Sequence, residues 1–162
     1  MKKSEVLNQV ILENSKIVEE IVYEIVSNYT SELDKIMKTC RTIFNSGQPM
    51  TDDELLDLLV QLPSNMYFTG EGQEMVGLRE DVSKMAKMEK YNEARKKALG
   101  TIQDKNTEAE IESLSEALNQ VIYQRSYKMI KNKIEMASEL LNSLKRINDR
   151  RITEQKMTGG IR

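Results

Sequence analysis

Apolar residues recur at helical spacing through the first quarter of the chain. From Ser4 to about Asn45 they return every three or four positions, which places them on one face of an α-helix. A second row beside the first makes this face wide enough to contact more than one partner helix. The first row comprises Val6, Val10, Ile17, Ile21, Ile25, Tyr29, Leu33, Ile36, Cys40 and Ile43. Since neither Gly nor Pro interrupts it, the pattern predicts one long helix over residues 4–45.

Turn-forming residues end this helix and a short one follows. Gly47 and Pro49 stop the first helix, and Thr51 with Glu54 three residues later has the spacing of a capping box. The apolar run behind it predicts a short helix over residues 52–62.

Residues 63–72 are the most loop-like part of the sequence. They begin with Pro63 and contain Gly70 and Gly72 beside the aromatic pair Tyr67 and Phe68. In such a loop the two rings are either a stacking platform for bases or are tucked back under the helices.

A third helix is predicted over residues 73–99 and ends at Gly100. Its apolar row is Met75, Leu78, Val82, Met85, Met88 and Tyr91.

The last and longest predicted helix covers residues 107–156. Thr107 and Glu110 have the spacing of a second capping box, and neither Gly nor Pro follows before the tail. Residues 157–162 contain two glycines, and we expect them to fray.

The whole pattern predicts an all-α protein. No strand pattern competes with the helices, and seven Gly and two Pro are few for 162 residues. We expect a single domain over residues 1–162, with long helices in an elongated hairpin or bundle that oligomerises through the C-terminal helix.

Charge divides the chain into an acidic and a basic part. Residues 1–83 hold 7 Lys or Arg against 15 Asp or Glu, whereas residues 84–162 hold 17 against 11. This asymmetry suggests an anionic partner for the second part only, unless the two parts neutralise each other.

The residues needed for common catalytic chemistry are scarce. The chain has no His, and its single Cys, Cys40, lies on the apolar face of the first helix as a small buried residue would. Glu19, Glu20 and Glu24 are reminiscent of the magnesium carboxylates of all-α nucleotide pyrophosphatases, but the last spacing is one residue too long. We therefore expect a solvated face there, no enzyme activity and no cofactor.

The N-terminal region contains no uninterrupted apolar run, so we expect neither a signal peptide nor a membrane span. With one unpaired cysteine, this favours a cytoplasmic location.

Cations concentrate at the end of the third helix and on the outer face of the last one. Such clusters can bind a nucleic-acid backbone in a salt-dependent way. Tyr91 within the first cluster could stack on a base, but its place in the apolar row of the third helix favours a role in the core. On the last helix the cations share their face with carboxylates, as an ordinary solvated surface would. The candidate DNA-binding residues are Lys84, Lys87, Lys90, Arg95, Lys96, Lys97, Lys128, Lys131, Arg146 and Arg150.

An apolar arc on the last helix is the candidate oligomerisation surface. Lys133 and Arg151 project near the middle of this arc, so each must snorkel, pair with a carboxylate of another helix, or line a shared channel. The candidate residues are Ile130, Lys133, Ile134, Ala137, Leu140, Leu141, Leu144, Ile147 and Arg151.

From about residue 85 to 156 the order of features resembles the UvsY family of phage recombination mediators. A basic helix ends at a glycine in "NEARKKALGT", an acidic connector "QDKNTEAEIE" follows, and a long terminal helix leads into "LKRINDRRITEQ". The first 80 residues do not share this pattern.

The resemblance implies a phage-encoded, ring-like homo-oligomer that assembles through its C-terminal helices in the host cytoplasm. It also implies binding of single-stranded DNA and loading of a RecA-like recombinase onto DNA covered by single-strand-binding protein. The family's DNA-contacting stretch falls on Arg95, Lys96 and Lys97, and its oligomerisation segment on Leu140, Leu141, Leu144 and Ile147.

The sequence is also compatible with two other classes of function. One is a helical adaptor or chaperone that binds proteins through its apolar faces, and the other is a small viral inhibitor protein that dimerises. Neither would bind DNA.

Overall fold

The computed structural model describes the backbone of residues 3–159 and the side chains of residues 15–158. All regular structure in this part of the chain is helical, which confirms the all-α prediction. The four helices are α1 (Lys3–Asn45), α2 (Asp52–Lys97), α3 (Ile102–Glu112) and α4 (Leu114–Gly159).

The boundary between α1 and α2 follows the sequence signals. Gly47 adopts a positive φ of 71°, a conformation that other residues rarely tolerate. The backbone amide of Thr51 donates to Glu54 Oε2 at 2.8 Å, and the amide of Glu54 donates to Thr51 Oγ1 at 3.2 Å. This reciprocal pair is the predicted capping box.

The predicted loop over residues 63–72 is wrong, because α2 continues through it without a break. Pro63 lies inside the helix at an exposed position, where its ring nitrogen removes one backbone hydrogen bond without ending the helix. Gly72 is fully enclosed: a Cβ atom added there would lie 2.5 Å from Cδ1 of Tyr29 on α1. This glycine therefore permits close packing of two helices instead of forming a turn.

The predicted start of the last helix is also wrong. The capping box consists of Thr101 and Asp104, six residues earlier than predicted, and follows Gly100 with its φ of 108°. Thr107 lies inside α3, and its hydroxyl donates to the carbonyl of Gln103. A single non-helical residue, Ser113, then separates α3 from α4.

The chain divides into two compact units, each built from segments of the same long helices, where one domain was predicted. Unit 1 comprises residues 1–27 and 73–129, and unit 2 comprises residues 28–72 and 130–162.

Unit 2 contains the larger apolar core. Segments of α1, α2 and α4, together with the connection between α1 and α2, contribute its buried side chains, which are Leu33, Cys40, Met50, Leu55, Leu58, Leu62, Ala137, Leu141 and Leu144. Partly buried Leu140 and Ile147 pack against this cluster. Much of the arc predicted to form an oligomer interface is thus buried within one chain, so its apolar pattern no longer requires a second copy.

Unit 1 has a core of smaller side chains. Its buried apolar residues are Val22, Val26, Val76, Ala98, Ala109 and Ile122. By contrast, the predicted apolar row of the third helix is exposed from Met75 to Met88. No helix in the described part of the chain is long and apolar enough to cross a membrane.

Candidate nucleic-acid interface

Four residues of α2 in unit 1 form a continuous row that we call the basic stripe: Lys84, Lys87, Tyr91 and Arg95. They are spaced by three, four and four positions, which places them on one face of the helix. Lys84 and Arg95 are exposed, whereas Lys87 and Tyr91 are half-buried. Lys87 and Tyr91 also line a shallow depression of about 260 Å³, together with Met88 and Asn92. The stripe therefore presents a tyrosine ring between cations.

No described side chain compensates the charge of the cations in the basic stripe. Among the described side chains, neither Lys84, Lys87 and Arg95 nor the adjacent Lys96 forms an ion pair. Glu80 and Asp81, one turn before Lys84, are carboxylates that border the stripe at its start.

The preference for cations at the C-terminal end of a helix explains only some of these residues. Arg95, Lys96 and Lys97 lie in the last turn of α2, where cations stabilise the negative helix end. This effect fades within one turn, so it does not explain Lys84 and Lys87.

Two of the predicted DNA-binding residues on α2 face carboxylates instead. Lys90 Nζ lies 2.9 Å from Glu116 Oε1 of α4, and Lys97 Nζ lies 3.9 Å from Glu93 Oε2. Both lysines line a cleft of about 320 Å³ together with Glu108 and Glu112 of α3. Their charge is compensated within the chain, which argues against a phosphate contact there.

The ion pair between Lys90 and Glu116 shifts both ionisation equilibria. The hydrogen bond to Glu116 raises the pKa of Lys90 above its usual 10.5, against a smaller opposing effect of desolvation. The hydrogen bond from Lys90 lowers the pKa of Glu116 below its usual 4.5. Both groups are thus held in their charged forms at neutral pH.

Lys128 belongs to a different surface of unit 1. It lines a groove of about 590 Å³ between α1 and α4, together with Arg125 and the exposed Tyr23. Neither Tyr23 nor Arg125 was predicted as a site residue. No local signal could have identified them, since residues about 100 positions apart meet there only through helix packing.

The remaining candidate cations lie in unit 2 and are mostly paired along their own helix. Lys131 lies 3.8 Å from Glu135, and Arg150 lies 2.9 Å from Glu154, each one turn ahead. Arg146 is exposed and forms no ion pair among the described residues. The ten predicted residues therefore do not form one surface.

The two cations on the apolar arc of α4 pair with carboxylates of other helices in unit 2. Lys133 pairs with Asp34 of α1, and Arg151 Nη1 lies 2.6 Å from Asp52 Oδ1 at the start of α2. Arg151 also donates to the carbonyl of Met50. Of the three roles considered for these residues, the structure shows pairing within the chain.

Tyr67 and Phe68 are exposed on α2, so they are neither in a loop nor tucked under the helices. Their rings are in contact edge to face, with centroids 5.6 Å apart. The hydrogen bond of Tyr67 to Glu71 raises the pKa of the phenol.

The groups considered for catalysis are dispersed. Glu19, Glu20 and Glu24 are exposed, and no three carboxylate or thiol groups among the described side chains could hold a metal ion together. Cys40 is buried, as predicted, and desolvation raises the pKa of its thiol, which disfavours the reactive thiolate.

No protein-family model, curated protein or solved structure matches this chain.

Proposed function

We propose that the protein binds single-stranded DNA through the basic stripe of α2 and is not an enzyme. The observation that carries the proposal is the set of cations on both sides of the half-buried Tyr91 that form no ion pair with any described side chain. Lysine and arginine that neutralise phosphates release condensed counterions, and an aromatic ring can stack on any base. From Lys84 to Arg95 the stripe extends about 17 Å along the helix, which suits a short stretch of a flexible strand.

Recombination mediation is the more specific part of this proposal. The similarity of residues 85–156 to the UvsY pattern supports it, and Arg95 and Lys96 of the DNA-contacting stretch form no ion pair with any described side chain. The corresponding partners are a RecA-like recombinase and a single-strand-binding protein in the cytoplasm of a phage-infected cell. The corresponding assembly is a homo-oligomer.

A salt titration with a fluorescent oligothymidylate tests DNA binding. For single strands the logarithm of the binding constant falls by about 0.7 per phosphate contact for each tenfold increase in salt. Three contacts at the stripe therefore predict a slope of roughly −2. Absence of binding even at low salt would overturn the proposal.

A protein-binding adaptor or chaperone is the second candidate. An apolar groove of about 470 Å³ between α1 and α4 in unit 1 favours it, and the exposed side chains of Ile17, Ile21 and Leu118 line this groove. Such a groove suits the apolar face of an amphipathic helix from a partner protein. Binding through it would persist at salt concentrations that release DNA, because apolar contacts are not screened.

A further inference from the structure

The solvent-exposed side of α2 in unit 1 carries a second row of residues, which we call the apolar stripe. Each member exposes about half or more of its surface: Met75 49%, Leu78 58%, Val82 55%, Met85 65% and Met88 58%. Single exposed apolar residues are ordinary on protein surfaces, but five in a row on one helix face indicate an interaction surface.

The first four members of the apolar stripe have the spacing of a coiled-coil seam. Met75, Leu78, Val82 and Met85 are separated by three, four and three positions, so they occupy alternating a and d positions of a heptad. From Met75 to Met85 this seam extends about 15 Å along the helix, and Met88 takes the flanking position g. The helix is already folded on unit 1, so association would not bear the cost of helix nucleation that limits short free peptides.

The flanking charges identify a second copy as the occupant and fix its direction. With Met75 at position a, Glu74 takes position g and Arg79 takes position e. In a parallel pair each g residue meets the e residue five positions later on the other helix, so Glu74 of each copy meets Arg79 of the other. Both side chains are exposed and form no ion pair among the described residues.

The antiparallel arrangement is disfavoured by the same charges. Setting Leu78 opposite Val82 of the other copy brings the two copies of Arg79 together on one side of the seam. It also brings the two copies of Asp81 together on the other side. Like charges in such positions repel, and they disfavour this orientation.

We propose that two copies of this chain associate in parallel through the apolar stripe of α2, with Glu74 and Arg79 paired across the seam. The inference goes beyond the proposed function, and it does not depend on DNA binding. It also differs from assembly through α4, since the buried part of that arc is already packed within one chain.

Cysteine cross-linking of the full-length protein tests both the contact and its direction. The single native cysteine, Cys40, is buried, so it should not cross-link under mild oxidation. Val82→Cys then supplies the exposed thiol whose cross-linking is measured. In the parallel dimer the two copies of residue 82 face each other, as do the two copies of residue 78. Val82→Cys and Leu78→Cys should therefore each form disulfide-linked dimers under mild oxidation, seen by non-reducing electrophoresis.

Val60→Cys is the matched control. Val60 lies on the same helix and is 71% exposed, but it is outside the apolar stripe. Cross-linking of Val82→Cys no greater than that of Val60→Cys would overturn the proposal. So would a dimer that forms only in the double variant Leu78→Cys/Val82→Cys, because this result requires the antiparallel arrangement.

A charge exchange provides an independent measurement by sedimentation velocity. Arg79→Glu should weaken the parallel dimer by placing Glu74 opposite a second glutamate, and Glu74→Arg combined with Arg79→Glu should restore it. In an antiparallel dimer the two copies of residue 79 face each other, so Arg79→Glu would replace one pair of like charges with another. Association that does not change on this substitution would therefore overturn the proposal.

Truncating one apolar side chain of the stripe should also weaken the dimer. Leu78→Ala removes apolar area from both copies and should raise the dissociation constant by about tenfold or more. Circular dichroism confirms that each variant retains its helices. A wild-type chain that stays monomeric at every accessible concentration would also overturn the proposal.

Discussion

Lys133 of α4 and Asp34 of α1 form an ion pair inside unit 2, with 2.5 Å between Nζ and Oδ2. The hydroxyl of Thr30, a fully buried residue, joins them: it donates to Asp34 Oδ2 at 2.9 Å and accepts from Lys133 Nζ at 2.9 Å. Each of the three groups thus satisfies part of the hydrogen-bonding capacity of the other two. This arrangement explains how a lysine can occupy the middle of an apolar arc.

Replacing Asp34 with Ala should destabilise the protein by about 1–3 kcal/mol, because Lys133 then loses its charged partner in a partly buried site. Lys133→Ala should have an effect of similar size, and the double variant should cost less than the sum of the two. Urea unfolding measures all three free energies. Lys35→Ala is the control, since the ion pair of Lys35 with Glu32 is exposed and should contribute about 0.5 kcal/mol or less. Strictly additive effects of the two substitutions would contradict the pairing.

Two neighbouring glycines of α2 should respond to alanine in opposite directions. Gly72→Ala should destabilise by about 1–3 kcal/mol, because the new methyl group overlaps the ring of Tyr29. Gly70 has no atom near its missing side chain, so Gly70→Ala should stabilise the helix by about 0.5–1 kcal/mol. Thermal unfolding distinguishes the two. Stabilisation by both would show that the segment is not packed against α1.

These glycines show where sequence reasoning succeeds and where it fails. Local signals correctly predicted the end of α1 and the capping box of Thr51 and Glu54, because both depend on residues within one turn. The sequence around Gly72 does not show whether this glycine forms a turn or allows a neighbouring aromatic ring to pack against the helix. Only Tyr29, more than forty residues away, distinguishes the two cases.

The corrected start of α3 gives a third prediction. Thr101→Ala removes both the acceptor for the amide of Asp104 and one partner of its carboxylate, so it should destabilise by about 1 kcal/mol. Thr107→Ala changes an exposed residue inside the helix and should alter stability by less than about 0.5 kcal/mol. Urea unfolding of both variants decides the matter. The reverse order would place the cap at Thr107.

The candidate interface was predictable in composition but not in arrangement. The sequence shows that cations concentrate near the C-terminal end of α2, and helical spacing alone places Lys84, Lys87 and Arg95 on one face. It could not separate Lys90 from Lys87, since the carboxylate that compensates Lys90 comes from α4. It also could not show that the apolar row from Met75 to Met88 faces solvent, because periodicity marks an apolar face without identifying what covers it.

The pair of Lys90 and Glu116 should give a defined dependence of stability on pH. The pKa of Glu116 is lowered on folding, so its contribution is present above pH 4.5 and is lost as pH falls through the lowered value. The pKa of Lys90 is raised on folding, so its contribution is present below pH 10.5 and is lost as pH rises through the raised value.

Glu116→Gln isolates this contribution from other acid-sensitive groups. The carboxylates of Glu54 and Asp104, whose pKa values are lowered by hydrogen bonds within their capping boxes, are the same in both proteins. The difference in unfolding free energy between wild type and variant should therefore be constant near neutral pH and shrink below pH 4.5. A difference that does not change with pH would mean that Glu116 is not paired as a carboxylate.

DNA binding through the basic stripe predicts separable effects of its tyrosine and its lysines. Tyr91→Leu keeps an apolar side chain at a half-buried position but removes the aromatic face, so affinity for oligothymidylate should fall by about tenfold with an unchanged salt slope. Lys84→Ala with Lys87→Ala should weaken binding and also make the slope shallower by about 1.4, since two phosphate contacts are lost.

Matched variants on α2 provide the controls for these measurements. Tyr67→Leu removes an exposed tyrosine of the same helix that lies outside the stripe, and it should leave affinity unchanged. Lys90→Ala removes a lysine whose charge Glu116 already compensates, and it should alter the slope little. Equal losses from Lys90→Ala and Lys84→Ala would show that net charge, and not the stripe, governs binding. Equal losses from Tyr67→Leu and Tyr91→Leu would show that Tyr91 has no specific role.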